Sequence, residues 1–136
     1  MSDIERARAR LSEGGYTCVM CRGEQTLVST DRGVKPLLSW LEEGTGEGFS
    51  AADKVVGNGA AFLYVLLKVR EVYAEVMSEP ALKVLKRHGI NAEFGTLCGN
   101  IINRKGDGIC PIEQAVQGIS EPSEALNAIR ERLKTL

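Results

Sequence analysis

The chain has 136 residues, with 17 basic against 18 acidic side chains and a net charge of −1. That length suits one domain, and 43% hydrophobic residues can fill its core. So even a charge balance gives no field to steer nucleic acid or an anionic membrane surface, and 5% aromatic residues leave few stacking platforms for single strands.

The N-terminus, MSDIERARARL, is charged and has no apolar run like that of a signal peptide. The cytoplasm is the expected compartment, and Cys18, Cys21, Cys98 and Cys110 are expected to be reduced there. Asp3 to Glu13 reads as a helix with Ile4, Ala7 and Leu11 on one side, ended by Gly14-Gly15. Arg6, Arg8 and Arg10, spaced by two, form no single stripe and read as a solvated face. Tyr16 to Arg22 and Thr26 to Thr30 are rich in β-formers around Arg22-Gly23-Glu24, which predicts a hairpin. A helix follows with Pro36 in its first turn and Gly44 at its end. Ser50 to about Lys68 reads as a second helix, with Gly57 and Gly59 inside it. Its apolar stretch, Gly59 to Val69, is too short to cross a bilayer.

Val69 to Met77 alternates as a strand does. Glu79-Pro80 opens a helix that Gly89 stops. Ala92 to Ile102 reads as a strand interrupted at Gly95 and Gly99. Asn103-Arg104-Lys105-Gly106 is a polar turn. Cys110-Pro111 opens a helix ending near Gly118, and a last amphipathic helix starts near Ser120. A hairpin followed by alternating helices and strands predicts an α/β protein with a mixed sheet and helices on both faces, a three-layer α/β/α domain over residues 1–136.

This order resembles the cytidine deaminase-like fold. The segments FSAADKVVGNGAAFLYVLL, AEVMSEPALKVLKRHGI and GDGICPIEQAV resemble a small family of uncharacterised prokaryotic proteins placed on that fold. Zinc deaminases carry a His or Cys ligand with a nearby Glu at one helix start and a P-C-x-x-C pattern at the next. Aligned on helices opening at Ser50 and Glu79, those positions read Asp53, Ala81 and Val84, which make no zinc site. The resemblance therefore implies a metal-free and cofactor-free relative. It also implies self-association as a homo-oligomer.

The remaining pattern points to a small-molecule site. Asp53 and Lys54 stand where the deaminase pocket would lie. They suit a charge pair that binds ligand or moves a proton, although Ser50 with Asp53 also fits a capping box. Cys110 stands at a helix start, where amides favour thiolate, with Glu113 three residues on. Ser78 ends a strand before Pro80. Asp53 and Cys110 are thus the catalytic candidates, and Lys54, Ser78 and Glu113 the ligand-binding ones. Cys18-Val-Met-Cys21 spells C-x-x-C, but residues three apart on a strand face opposite sides, so buried thiols are expected instead of a metal site. His88, in a last helical turn, reads as a C-terminal cap. The glycine-rich loop at residues 44–48 follows a helix and lacks the lysine of a phosphate loop. The expectation is a small, nucleotide-like ligand, with no nucleic-acid or membrane partner. The alternative is a non-catalytic oligomeric or partner-binding domain on the same scaffold.

Overall fold

The computed structural model describes residues 1–103 and 105–136; Arg104, in the expected polar turn, lies outside them. The chain opens with α1 (Asp3–Gly14), whose N-terminus carries a full capping box. The Ser2 hydroxyl accepts from the Glu5 amide, and the Glu5 carboxylate accepts from the Ser2 amide. Next come β1 (Cys18–Arg22) and β2 (Gln25–Ser29), an antiparallel hairpin turning at Gly23 with φ of +57°. Then follows α2 (Lys35–Glu43), with Pro36 in its first turn and Gly44 in the left-handed conformation at its end.

The first departure from expectation comes here. Residues from Ser50 on form a strand, β3 (Ser50–Val56), and the helix α3 (Asn58–Leu67) starts only after Gly57. The cause is burial. β3 is the middle strand and Ser50 to Asp53 are buried on both faces, so no polar–apolar alternation marks it. Ser50 therefore caps nothing; its hydroxyl donates to Glu71 Oε2 at 2.5 Å. Gly57 and Gly59 sit at the mouth of α3 rather than inside it, which removes most of their helix penalty. From Gly59 to Tyr64 every residue of α3 is buried, as suits a helix covered all round.

The chain continues through β4 (Glu71–Ser78), α4 (Glu79–Arg87), β5 (Asn91–Cys98), α5 (Pro111–Ala115) and α6 (Pro122–Leu133). β5 passes through Gly95 without a break. A side chain there would stand 2.9 Å from the Glu75 carbonyl, so the glycine lets β4 and β5 approach.

Among the described residues the five strands lie in the order β2-β1-β3-β4-β5. β1 is antiparallel to β3, while β3, β4 and β5 are mutually parallel. Alternation along the strands divides the core between two faces. Val19, Cys21 and Ala52 meet Ala7 and Leu11 of α1 on one face. Cys18, Met20 and Ala51 join the larger core with α2, α3, α4 and α6 on the other. This is the expected α/β fold with a mixed sheet between helical layers, holding five strands where the sequence suggested four. The C-x-x-C pair is split as period two requires: Cys18 faces α3 and Cys21 faces α1. Among the described residues no helix is long and apolar enough to cross a membrane.

The α1 layer rests on few side chains, and Leu11 is its largest buried one, at 1% exposure. Leu11→Ala is expected to lower the unfolding free energy by about 2–5 kcal/mol. Urea denaturation followed by circular dichroism measures it.

Candidate functional site

A cavity of about 190 Å³ opens at the carboxyl end of β3. One wall is the start of β1, with Thr17 and Cys18. A second is the turn before α2, with Arg32 to Val34. A third is the mouth of α3, with Gly57 and Ala60. The last is the strap between β5 and α5 together with the first turn of α5, which brings Ile101, Cys110, Ile112 and Glu113 across. The strap closes on itself through an isolated bridge between Ile102 and Ile109, and the Cys110 amide donates to the Ile101 carbonyl at 2.9 Å.

Asp53 forms the polar floor. It lies on β3 beside Cys18 of β1, with its side chain turned toward α3 and only 7% exposed. The Tyr64 hydroxyl donates to Asp53 Oδ2 at 2.7 Å. The Cys18 sulfur lies 3.2 Å from the same hydroxyl oxygen. With the tyrosine proton committed to Asp53, the thiol is the donor of that second contact. Burial raises the Asp53 pKa from 3.8 to about 6, partly offset by the Tyr64 hydrogen bond. Burial also pushes the Cys18 thiol and the Tyr64 phenol up, and the Asp53 charge adds to both. Neither is an anion near neutral pH. Of the three, Asp53 is the one that burial carries toward neutral pH.

Glu113 has a different task. Its two carboxylate oxygens accept from the Asn58 amide at 2.6 Å and the Gly59 amide at 2.9 Å. The acid that sequence assigns to its own short helix thus caps α3, where exposed amides and the helix dipole favour a negative charge. Gly57 and Gly59 are small for this reason. A side chain at Gly57 would stand 2.6 Å from Glu113 Cδ, and one at Gly59 would stand 2.7 Å from Ile112 Cγ2.

Of the sequence-derived candidates, Asp53, Lys54, Cys110 and Glu113 all border this cavity. The expected Asp53–Lys54 charge pair does not form. Neighbours on a strand face opposite ways, and the Lys54 ammonium reaches Glu75 of β4 at 3.2 Å on the α1 side. Ser78 lies outside the cavity. It is wholly buried, and its hydroxyl caps α4 by accepting from the Ala81 amide at 3.2 Å. Cys110 is the N-cap of α5, but that helix has five residues and not the eight or so expected, so it builds little macrodipole. His88 is the C-cap residue of α4, as its position before Gly89 suggested.

Tyr64 and the pocket-side place of Cys18 were not anticipated. One signal was available. A tyrosine inside an apolar helix must find a partner for its hydroxyl. Reading β3 as a strand would have offered Asp53.

A zinc ion of deaminase type does not fit these residues. The alignment on Asp53, Ala81 and Val84 lapses, because Asp53 is mid-strand and the other two are buried in α4. Near the cavity, Cys18 and Asp53 are engaged with Tyr64, and Glu113 with α3. Among the described residues no three His, Cys, Asp or Glu side chains stand close enough to hold a metal ion.

Residues 6–133 match the model of a domain of unknown function, DUF1893, typified by TM1506. The chain belongs to the DUF1893 family. The crystal structure of TM1506, a DUF1893 protein from Thermotoga maritima, is similar over 100% of this chain and 92% of that one. The TM-score is 0.84 and the identity 23%, which establishes a shared fold. No curated protein matches this chain.

Two expected outcomes follow from this geometry. The native state holds the Asp53 proton more tightly than the unfolded chain does, so this group's contribution is full below about pH 4 and is lost as pH rises through 6. A shift of that size corresponds to about 2–3 kcal/mol. Asp53→Asn keeps the shape and removes the titration. Its urea stability should lack the decline between these pH values that the wild type shows, and parallel profiles would refute the assignment. At the α3 mouth, Gly57→Ala should cost about 1–3 kcal/mol by overpacking. In a Glu113→Ala background the same change should cost clearly less, which a double-mutant cycle measures.

Proposed function

We propose that this chain binds a small, nucleotide-like ligand in the cavity at the end of β3, on a deaminase-like scaffold that works without zinc. One observation carries the reading: a buried carboxyl, Asp53, with a pKa of about 6, forms the floor of an open cavity that four separate parts of the chain build. A buried ionisable group in a concave site is a marker of binding or catalysis.

Size narrows the ligand. The cavity holds about 190 Å³, below the ~300–1,000 Å³ that encloses a whole drug-sized molecule. A single ring of nucleobase size fits inside, and the rest of a nucleotide would lie outside. Arg32 is exposed at the rim, where it can meet an anionic tail. Asp53 can present either a carboxylate acceptor or an O–H donor near neutral pH, so it suits a ring edge that offers N–H or carbonyl groups. Cys110, partly exposed in the strap, is the one thiol on the accessible wall and the nucleophile candidate if the ligand is also a substrate. Lys54 contributes its position at the rim more than its charge, which Glu75 takes up.

A thermal-shift screen against nucleosides, nucleotides and related small metabolites tests the reading. Ligand at a hundredfold excess over Kd adds about 2.7 kcal/mol of stability, which for a chain of this size is a rise of several degrees. That rise should vanish in Asp53→Ala and shrink in Arg32→Ala. A panel that leaves the wild type unmoved, or a shift that Asp53→Ala retains in full, overturns the proposal.

A further inference from the structure

The sheet ends in β5, and that edge is unlike a protected one. No main-chain hydrogen bond joins β5 to anything beyond β4 among the described residues. Its outward amides and carbonyls therefore form a ready template for another strand. Natural edges are usually blunted by a lysine, a proline, a bulge or short length. β5 has none of these. It is eight residues long, keeps one constant register with β4, and its run Phe94-Gly95-Thr96-Leu97-Cys98 has no charge and no proline. Two large apolar side chains of the strand also stay partly open to solvent. Phe94 is 38% exposed and Leu97 37% exposed. The opposite edge, β2, is five residues long.

The charges beside this edge favour one occupant. α4 connects two parallel strands, so it runs antiparallel to β5 along its length. Its exposed Lys86 and Arg87 stand by the start of β5, and its exposed Glu79 stands by the end. A strand pairing antiparallel through a two-fold axis sets the two ends against each other. Glu79 of one copy then comes toward Lys86 and Arg87 of the other, on both sides of the axis at once. Such a contact is isologous and closes after two copies.

We infer that a second copy of this chain pairs with β5 edge to edge, antiparallel, and that the two five-stranded sheets become one continuous sheet. Backbone pairing supplies the register, Phe94 and Leu97 meet their counterparts, and the α4 charges set the orientation. This inference is independent of the cavity at the end of β3, which lies on the far side of β4.

Sedimentation of the full chain from low to high micromolar concentration provides the test. The wild type should show a reversible dimer. Phe94→Lys and Leu97→Lys should each raise the dissociation constant about tenfold or more, a loss of ~1.4 kcal/mol. Val28→Lys on β2 should leave it unchanged. Glu79→Lys should weaken the dimer, and adding Lys86→Glu with Arg87→Glu should restore it. Because these three sites are exposed on α4, the swap keeps the question open to decision should a β5 variant fail to fold. A wild type that stays monomeric throughout overturns the inference. So does a dimer that tolerates Leu97→Lys but not Val28→Lys, or a charge swap that restores nothing.

Discussion

Two backbone amides at the start of α3 and one carboxylate from far along the chain join the mouth of α3 to α5. Glu113 lies 55 and 54 residues beyond the amides it accepts from. Each such charge-assisted bond contributes about 1.5–3 kcal/mol, and both donors lose their partner together if the acid is removed. The contact sets the residues around it. Gly57 and Gly59 must lack side chains for the carboxylate and Ile112 to approach. α5 must begin where Glu113 can reach back, which fixes the strap and places Cys110 and Ile101 as a wall. The cap and the packing of Ile112 and Val116 on the core together hold the strap across the mouth of α3.

Asp53 poses the opposite energetic problem. Glu113 is buried as a charge with two donors aimed at it, whereas Asp53 receives one strong donor, the Tyr64 hydroxyl, and a long contact of 3.4 Å from the Val55 amide. Too few donors face it to hold its charge through burial, so its pKa rises. An alanine or valine at this place in a central strand would avoid the cost. Tyr64 and Cys18 extend the same polar thread into an otherwise apolar core. Features that work against stability concentrate where a protein binds or reacts. The thread ends at the cavity floor and not deeper in the interior.

What the sequence disclosed, and what it hid, follows from whether the evidence was local. The hairpin, the Pro36 and Pro80 helix starts and the opposite facings of Cys18 and Cys21 depend on turn chemistry and period, and these are written in adjacent residues. β3 was hidden because Ser50-Ala-Ala-Asp carries helix-start chemistry, and only its central place in the sheet overrides that. One missed strand moved Asp53 from a helix mouth to a sheet, yet it stayed at the cavity, because both readings put it at the approach to α3. Glu113 was visible as an acid beside Cys110, but its partner is long-range. No spacing could have linked it to Asn58. Ser78 was plausible for the same local reasons that make it a cap, and the structure assigns it that task alone.

The position of the cavity has its own cause in the topology. From β3 the chain crosses through α3 to β4, and from β4 through α4 to β5, always to the same side. β1 and β2 lie on the other side of β3, and β1 runs against it. Connections therefore leave β3 in one direction only, and the space between the end of β3 and the start of β1 is not crossed by either helix. Open α/β sheets bind ligands in such a gap, beyond the carboxyl ends of strands where the winding changes direction. Asp53 to Gly57 lead into that gap, Thr17 and Cys18 border it, and the strap bearing Cys110 and Glu113 is the only later part of the chain that returns to it among the described residues. A site there needs no special insertion. It needs only that the strap stop short of filling the gap, and the 190 Å³ left beside Asp53 is what stopping short leaves.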